Sequence, residues 1–146
     1  MTNEISVFGG TIRLVASSTF PAGITVTQFT DDIDAWDIPE VIIAECTMGP
    51  NGDMLTWGKA NIIPIKIGII PFSDDDVNLS ILLNANRPQQ GKLPVKDNIT
   101  MTFSYPDGNF VTFINGKIVS GMPKPGAASS GRLKSNSYGF NFQGVA

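Results

Sequence analysis

The chain has 146 residues, a single cysteine, no histidine, a hydrophobic content of 42% and a formal net charge of −3. One cysteine excludes an internal disulfide and a cysteine-built zinc site, and the lack of histidine removes the commonest general base and metal ligand. The length predicts one domain spanning residues 1–146, and the acidic balance argues against a protein that grips nucleic acid.

In the first third of the chain, two alternating segments predict strands and an acidic segment predicts a loop. Ile12 and Leu14 recur at period two, as do Ile24 and Val26. Residues 29–40, FTDDIDAWDIPE, have no such period, and Pro39 forbids a central strand there. The aspartates of this loop form only a weak calcium pattern, because their spacing does not match an EF-hand loop. A solvated or partner-facing loop is the stronger interpretation.

The middle of the chain predicts a hairpin followed by a very apolar strand. Residues 41–48 alternate with Cys46 on the apolar face, which predicts that Cys46 is a small core residue. Residues 49–53, GPNGD, predict a turn that returns the chain along residues 54–60. Residues 62–72 carry isoleucines in both alternating sets, so this strand is expected to be buried on both faces.

One helix is predicted, at about residues 73–87. Ser73 is placed to cap it, three aspartates follow at the positive end of the helix dipole, and Pro88 ends it. The apolar side is expected to consist of Val77, Ile81, Leu82 and Ala85. If that side covers the barrel of its own chain, Ile81→Asp should unfold the monomer.

The last third has the clearest strand pattern. Residues 99–105 alternate between large apolar and small hydroxyl side chains, and residues 137–143 alternate in the same way around aromatic rings. Tyr105-Pro106-Asp107-Gly108 predicts a turn, and Asn115-Gly116 predicts a two-residue hairpin turn. Residues 122–131 predict a flexible loop. The fold class is therefore all-β, a sandwich or barrel, with one flanking helix.

The sequence offers no catalytic, metal-binding or cofactor-binding residues. It has no phosphate-binding loop, no nucleophile elbow and no aromatic cluster beside its carboxylates. An enzyme with catalytic carboxylates is the weaker alternative. A binding domain that does not polymerise is a further alternative. No apolar run is long enough to span a membrane, and residues 1–10 lack the basic start and apolar centre of a signal peptide, so the protein is expected to be made inside a cell.

Charge is unevenly distributed along the chain. Residues 1–53 carry a net charge of −7, whereas residues 54–146 carry +4. Two interpretations stay open. Charges far apart in sequence can be neighbours in one folded chain, or two opposite surfaces can meet head to tail between identical subunits.

Several segments resemble bacteriophage tail tube proteins of the compact, single-domain kind, more closely those of contractile tails. These segments are residues 20–25 (FPAGIT), 28–29 (QF), 37–39 (DIP), 48–53 (MGPNGD), 56–61 (TWGKAN), 83–88 (LNANRP), 105–108 (YPDG) and 115–117 (NGK). The resemblance implies a virion protein, assembled in the bacterial cytoplasm, whose hexameric rings stack into the tube for genome ejection. It further implies that strands join across subunits into one barrel and that sheath, tape-measure and baseplate proteins are partners. DNA would pass without specific binding. A type VI secretion tube protein and a baseplate or tail-fibre module are the alternatives.

Two groups of candidate site residues follow from the charges, the small neutral strand faces and this resemblance. The candidates for contacts between subunits, with Trp36 as the apolar anchor, are Asp31, Asp32, Asp34, Trp36, Asp37, Lys124 and Arg132. The candidates for lining a channel, with Glu45 as the acidic member, are Glu45, Thr47, Thr100, Thr102 and Ser104.

Overall fold

The computed structural model describes residues 5–146 and confirms an all-β fold with one helix. Residues 1–4 lie outside the described residues. They belong to the segment 1–10, which the sequence predicts not to be a signal peptide. The elements in chain order are β1 (Thr11–Ala16), β2 (Phe20–Val26), β3 (Trp36–Asp37), β4 (Ala44–Met48), β5 (Met54–Gly58), β6 (Ile63–Ile69), α1 (Asp74–Asn86), β7 (Ile99–Ser104), β8 (Phe110–Gly121), β9 (Asn136–Phe142) and β10 (Gly144–Val145).

The main sheet is antiparallel and curls over its own core. Its strand order is β2-β1-β7-β8-β9-β6-β3, and β10 pairs with β8 beside this path. Although β3 and β7 are far apart in this order, the ring centroid of Trp36 in β3 lies 5.6 Å from that of Phe103 in β7. The sheet therefore folds back on itself and encloses an apolar interior. The hairpin β4–β5 is a separate two-stranded sheet.

The apolar side chains that recur at every second residue of the strands fill this interior, as the sequence predicts. Ile67 of β6 lies opposite Tyr138 of β9, and Ile65 lies opposite Phe140. All four side chains are buried, as are Ile99, Met101 and Phe103 on β7. The expectation that residues 62–72 are buried on both faces is wrong, because Ile62, Lys66 and Ile70 are exposed. The apolar face of β6 thus packs inward, whereas its other face is exposed except at Gly68, which Ile33 and Asp34 cover.

The predicted hairpin turn at Asn115-Gly116 is wrong, because β8 continues through these two residues without reversing direction. Its first half pairs with β7 and its second half pairs with β9. Asn115 has a φ of 54°, whereas Gly116 does not have a positive φ. A two-residue turn of this type needs positive φ at both residues, so a single left-handed residue kinks the strand without reversing it. The kink lets β8 serve both halves of the sheet. By contrast, the turn predicted at residues 105–108 is confirmed, since Gly108 N donates to the Tyr105 carbonyl at 3.1 Å.

Replacing Gly116 by alanine is expected to destabilise the fold by about 1–3 kcal/mol, the usual cost of overpacking a core. A Cβ at Gly116 would clash with the ring of Phe142, which is itself buried. Urea denaturation of Gly116→Ala measures the loss. Gly144→Ala is the control, because a Cβ there meets nothing within 4 Å. Equal stability of the two variants would contradict the packing described for β8.

The helix begins at the predicted cap but buries a different side. The Ser73 side chain accepts a hydrogen bond from Asp76 N at 3.2 Å. Leu79 and Leu82 are fully buried, whereas Val77 and Ile81 are 51% and 49% exposed. The predicted apolar side is therefore wrong for Val77 and Ile81, whereas Leu82 is buried and Ala85 is half-buried. The reason is that two carboxylates, described below, also turn inward and set the rotation of the helix.

Candidate functional site

The hairpin β4–β5 is the most exposed ordered element of the chain. Its strands pair from Ala44 opposite Gly58 to Met48 opposite Met54, and a bond of 3.0 Å from Gly52 N to the Gly49 carbonyl closes the predicted turn. Every residue of β5 is exposed, and in β4 only Glu45 is half-buried. Cys46 is exposed, so its prediction as a core residue is wrong. The alternation in residues 41–48 is present, but it has no core of its own chain to face.

Large apolar side chains cover this hairpin and its flanks, with exposures between 48% and 74%. They are Ile42, Ile43, Met48, Met54, Leu55, Trp57 and Ile62. A two-stranded hairpin is at best marginally stable in water by itself. Leu55 and Trp57 lie on one face of the hairpin, and Met48 and Met54 lie on the other. Exposed apolar surface of this extent is typical of a site of interaction with another protein. We refer to residues 42–58 as the exposed hairpin.

The candidate channel residues divide between two sheets. Glu45 and Thr47 lie on one face of the exposed hairpin together with Leu55 and Trp57, and Lys59 Nζ contacts Glu45 Oε1 at 3.0 Å. Thr100, Thr102 and Ser104 alternate with the core residues of β7 and are half-buried on the outer face of the main sheet.

Threonines and one arginine form that outer face around Thr102. The Thr102 hydroxyl lies 3.1 Å from the Thr112 hydroxyl, and Arg13 is the cross-strand neighbour of Thr102 on β1. This face therefore carries small neutral groups around a single cation. Whether either set of candidates lines a channel stays a prediction.

Part of the acidic loop meets its basic partner within the same chain. Arg132 Nη2 lies 3.2 Å from Asp31 Oδ1 and 3.8 Å from Asp32 Oδ2. The Ser135 and Thr30 hydroxyls hydrogen-bond to Asp32, and these bonds, with Arg132 beside them, hold the pKa of the Asp32 carboxyl below its usual value. The uneven charge along the sequence is therefore partly balanced inside one folded chain.

The remaining candidates for subunit contacts are distributed differently. Trp36 packs on its own domain, where its ring makes edge-to-face contacts with Phe29, Phe103 and Tyr105. Its indole is thus occupied within the chain. Asp34, Asp37 and Lys124 are exposed, in or beside loops. Their contact with another subunit stays a prediction.

Sequence reasoning missed three buried carboxylates that fasten the helix to the sheet. Asp75 accepts hydrogen bonds from Thr27 N at 2.8 Å and Gln28 N at 2.9 Å. Asp76 accepts from the Tyr138 hydroxyl at 2.7 Å. Asp97 accepts from Ser18 N at 2.7 Å and from Asn86 Nδ2 at 2.8 Å.

The environment of these carboxylates is structural in character. Burial opposes ionisation of Asp97, but hydrogen bonds from Thr19, Asn86 and Ser18 outweigh it and hold the pKa of this carboxyl below its usual value. Burial raises the pKa of the Tyr138 hydroxyl, as does the neighbouring Asp76 carboxylate. Each of the three carboxylates accepts hydrogen bonds from donors of its own chain. The three consecutive aspartates are a sequence signal for Asp75 and Asp76, but by themselves they predict only a capping box and stabilisation by the helix dipole.

Two other kinds of site, a metal centre and a membrane-spanning helix, were compared with residues 5–146. No group of three or more cysteine, aspartate and glutamate side chains in this part of the chain is arranged to hold a metal ion. The helix present there is too short and too polar to cross a membrane. The exposed hairpin is therefore the best candidate functional site.

Solved structures with a similar fold come from contractile injection machines. The chain aligns over its full length with 91% of a chain in the cap that terminates the anti-feeding prophage tube, at 14% identity and a TM-score of 0.59. It aligns over its full length with 95% of a chain in the baseplate of the anti-feeding prophage, at 10% identity and a TM-score of 0.58. A chain from the sheath/tube terminator of an extracellular contractile injection system matches at 11% identity and a TM-score of 0.56, with 97% of that chain covered. At these identities the likeness establishes the fold.

No curated protein matches the chain significantly. The family model described as "Tail fiber protein gp32" matches residues 3–146, which is nearly the whole sequence. That family is one of structural tail components of phages. The chain therefore belongs to the tail fiber protein gp32 family and is a phage-type tail protein.

Proposed function

We propose that this protein is the subunit of a phage tail tube, polymerising as stacked hexameric rings around a conduit for genome ejection. The single observation that carries the proposal is the exposed hairpin. Seven large apolar side chains, four on the two-stranded sheet and three on its flanks, are left uncovered by the rest of the described chain. Such a surface is costly in a monomer and is expected where identical subunits cover one another.

The open sheet edges support the same proposal. Among the strands of residues 5–146, β2 pairs only with β1, and β4 and β5 pair only with each other. Unpaired edges are a hazard for a soluble monomer, whereas closing them across subunits into one barrel removes them. The proposal treats residues 1–146 as one tail tube domain.

A conduit for DNA also must not bind DNA tightly. Each lysine or arginine that touches phosphate adds affinity and would slow passage. In the proposed tube, the lumen is lined by neutral hydroxyls such as Thr100, Thr102 and Ser104. Glu45 and Thr47 lie on the same hairpin face as Trp57 and Leu55, so the contact that covers this face between copies would also take them out of the lumen. Besides other copies of itself, the protein would contact sheath, tape-measure and baseplate or initiator proteins. The completed tube would be part of the virion and would be assembled in the host cytoplasm.

A second candidate is a baseplate or tail-fibre binding module, and the description of the family favours it. Such a module would be a monomer or a trimer and would not polymerise. A tube protein of a type VI-like secretion system is a third candidate, since it shares the expected ring and stack. Assembly behaviour separates the second candidate from the proposed tube subunit.

Electron microscopy of the purified protein at high concentration, beside light scattering at low concentration, tests the proposal. Rings or tubes with a central hole are expected. If the protein alone stays monomeric, baseplate components are added as an initiator. A monomer or trimer under both conditions would overturn the tube proposal in favour of the binding module.

Removing apolar surface from the exposed hairpin should abolish assembly while leaving the monomer folded. We expect Leu55→Ser/Trp57→Ser to shift the protein to monomers, with a circular dichroism spectrum and melting temperature close to those of the parent. Both side chains are half exposed, at 57% and 48%, so little monomer stability depends on them. Val77→Ser, at a residue of similar exposure on α1, is the control and should assemble normally. Unchanged polymerisation of the double variant would contradict the role assigned to the hairpin.

A further inference from the structure

An apolar groove lies beside the base of the exposed hairpin, on the outer face of the main sheet. Its volume is about 440 Å³. Ile62 and Val119 are 59% and 55% exposed there. The residues that line the groove are Ala60, Asn61, Ile62, Asn115, Lys117, Val119, Asn141, Phe142 and Gln143. We refer to it as the β8–β9 groove.

The hairpin of the same chain does not fill this groove. The groove begins at Ala60, two residues after β5 ends, so the hairpin leaves from its rim. Five strand residues span about 16 Å at 3.3 Å per residue, which carries the hairpin tip well away from its base. Accordingly, Ile62 and Val119 stay exposed, as do Leu55 and Trp57 on the hairpin. One chain thus presents both an uncovered apolar projection and an uncovered apolar groove.

Charge is complementary between the two surfaces. Asp53 lies at the tip of the exposed hairpin, and Lys117 lies on the wall of the β8–β9 groove. Both residues are exposed, and the ion pairs found within residues 5–146 involve neither of them. A second copy is therefore an occupant that brings apolar bulk and a carboxylate to a groove offering apolar walls and an ammonium group.

We propose that the exposed hairpin of one copy lies in the β8–β9 groove of the next copy, with Asp53 near Lys117. The inference rests on the proposed function, because it names the surface that the hairpin covers. The contact is heterologous, since it joins two different patches, and such a contact repeats from copy to copy and generates a closed ring or an open helix. Repetition also protects the hairpin edges and the apolar groove at the same time.

Cross-linking through Cys46 tests the contact directly. The native cysteine is exposed on the hairpin and is the only one in the chain. Adding Val119→Cys places a second thiol in the groove, so a short bismaleimide should join assembled subunits into a ladder of covalent oligomers. Val77→Cys, on the exposed side of α1, is the matched control and should give no such ladder. Val119→Cys combined with Cys46→Ala should also give none.

Each outcome is decisive when assembly is followed in parallel by electron microscopy. Rings or tubes with a ladder specific to Val119→Cys support the inference. Rings or tubes without that ladder, or with an equal ladder from Val77→Cys, overturn the inference and leave the proposed function standing. If the parent protein forms no rings or tubes even with baseplate components, the proposed function fails and the inference fails with it.

A charge exchange provides a second measurement that does not depend on thiol chemistry. Asp53→Lys and Lys117→Asp should each raise the protein concentration needed for assembly by about fivefold, the scale of a surface ion pair. The double exchange should restore assembly towards that of the parent. Both residues are exposed, so the monomer is expected to fold in every case. Single variants without effect, or a double variant no better than the worse single one, would place Asp53 and Lys117 apart and overturn the inference.

Discussion

Leu79→Asp is expected to unfold the monomer, whereas Ile81→Asp is expected to leave it folded. Leu79 is fully buried on the inner side of α1, and Ile81 is 49% exposed on the outer side. An aspartate at residue 79 would bury a charge that has no partner, at a cost of several kcal/mol against a total stability of about 5–15 kcal/mol. At residue 81 the new carboxylate would stay in water, so a change within about 0.5 kcal/mol is expected.

Circular dichroism and urea denaturation of the two variants measure the difference. Leu79→Met is the matched control for residue 79, because it keeps an apolar side chain of similar volume and is expected to cost less than about 1.5 kcal/mol. The comparison also decides which side of the helix faces the sheet. An unfolded Ile81→Asp beside a folded Leu79→Asp would restore the side of the helix that the sequence pattern favoured.

Most of the fold was predictable because its strands are half-buried and strictly alternating. On β7 and β9, every large apolar member of the alternation is buried, although β9 also buries Asn136 and Gly139. The cap at Ser73 and the turn at residues 105–108 were predictable for a local reason, since each depends on hydrogen bonds between residues close in sequence.

The failures have a common physical cause, which is that distant contacts override local patterns. The orientation of α1 depends on hydrogen bonds from Thr27 and Gln28, about fifty residues earlier, to Asp75. Asn115-Gly116 carries a strong hairpin signal, but pairing with β9 keeps the chain extended beyond the kink. Local propensity is a weak prior wherever such tertiary contacts compete with it.

The candidate site was predictable only in part, for a different reason. The alternation at residues 42–48 correctly indicates an apolar strand face, but a pattern of this kind does not say which chain buries that face. The pattern therefore predicts a core position for Cys46, although the hairpin does not face the core of its own chain. Similarly, Asp31 and Arg132 lie 101 residues apart in sequence and meet in space, which a charge count along the chain cannot reveal.

Asp76→Ala is expected to cost several kcal/mol of folding free energy, although aspartate is usually a surface residue. Its carboxylate accepts hydrogen bonds from the Tyr138 hydroxyl at 2.7 Å, from Asn136 Nδ2 at 2.5 Å and from Phe72 N at 2.9 Å. Removing it leaves buried donors unpaired, each at about 1–3 kcal/mol, and loosens the contact between α1 and β9. Urea denaturation measures the loss, with Asp74→Ala as the control. Asp74 is exposed in the same first turn and contributes only through the helix dipole, at about 0.3–1 kcal/mol. If both alanine variants lost the same small amount, the carboxylate of Asp76 would be shown to act through the dipole alone, and the side of α1 that faces the sheet would have to be explained by the packing of Leu79 and Leu82.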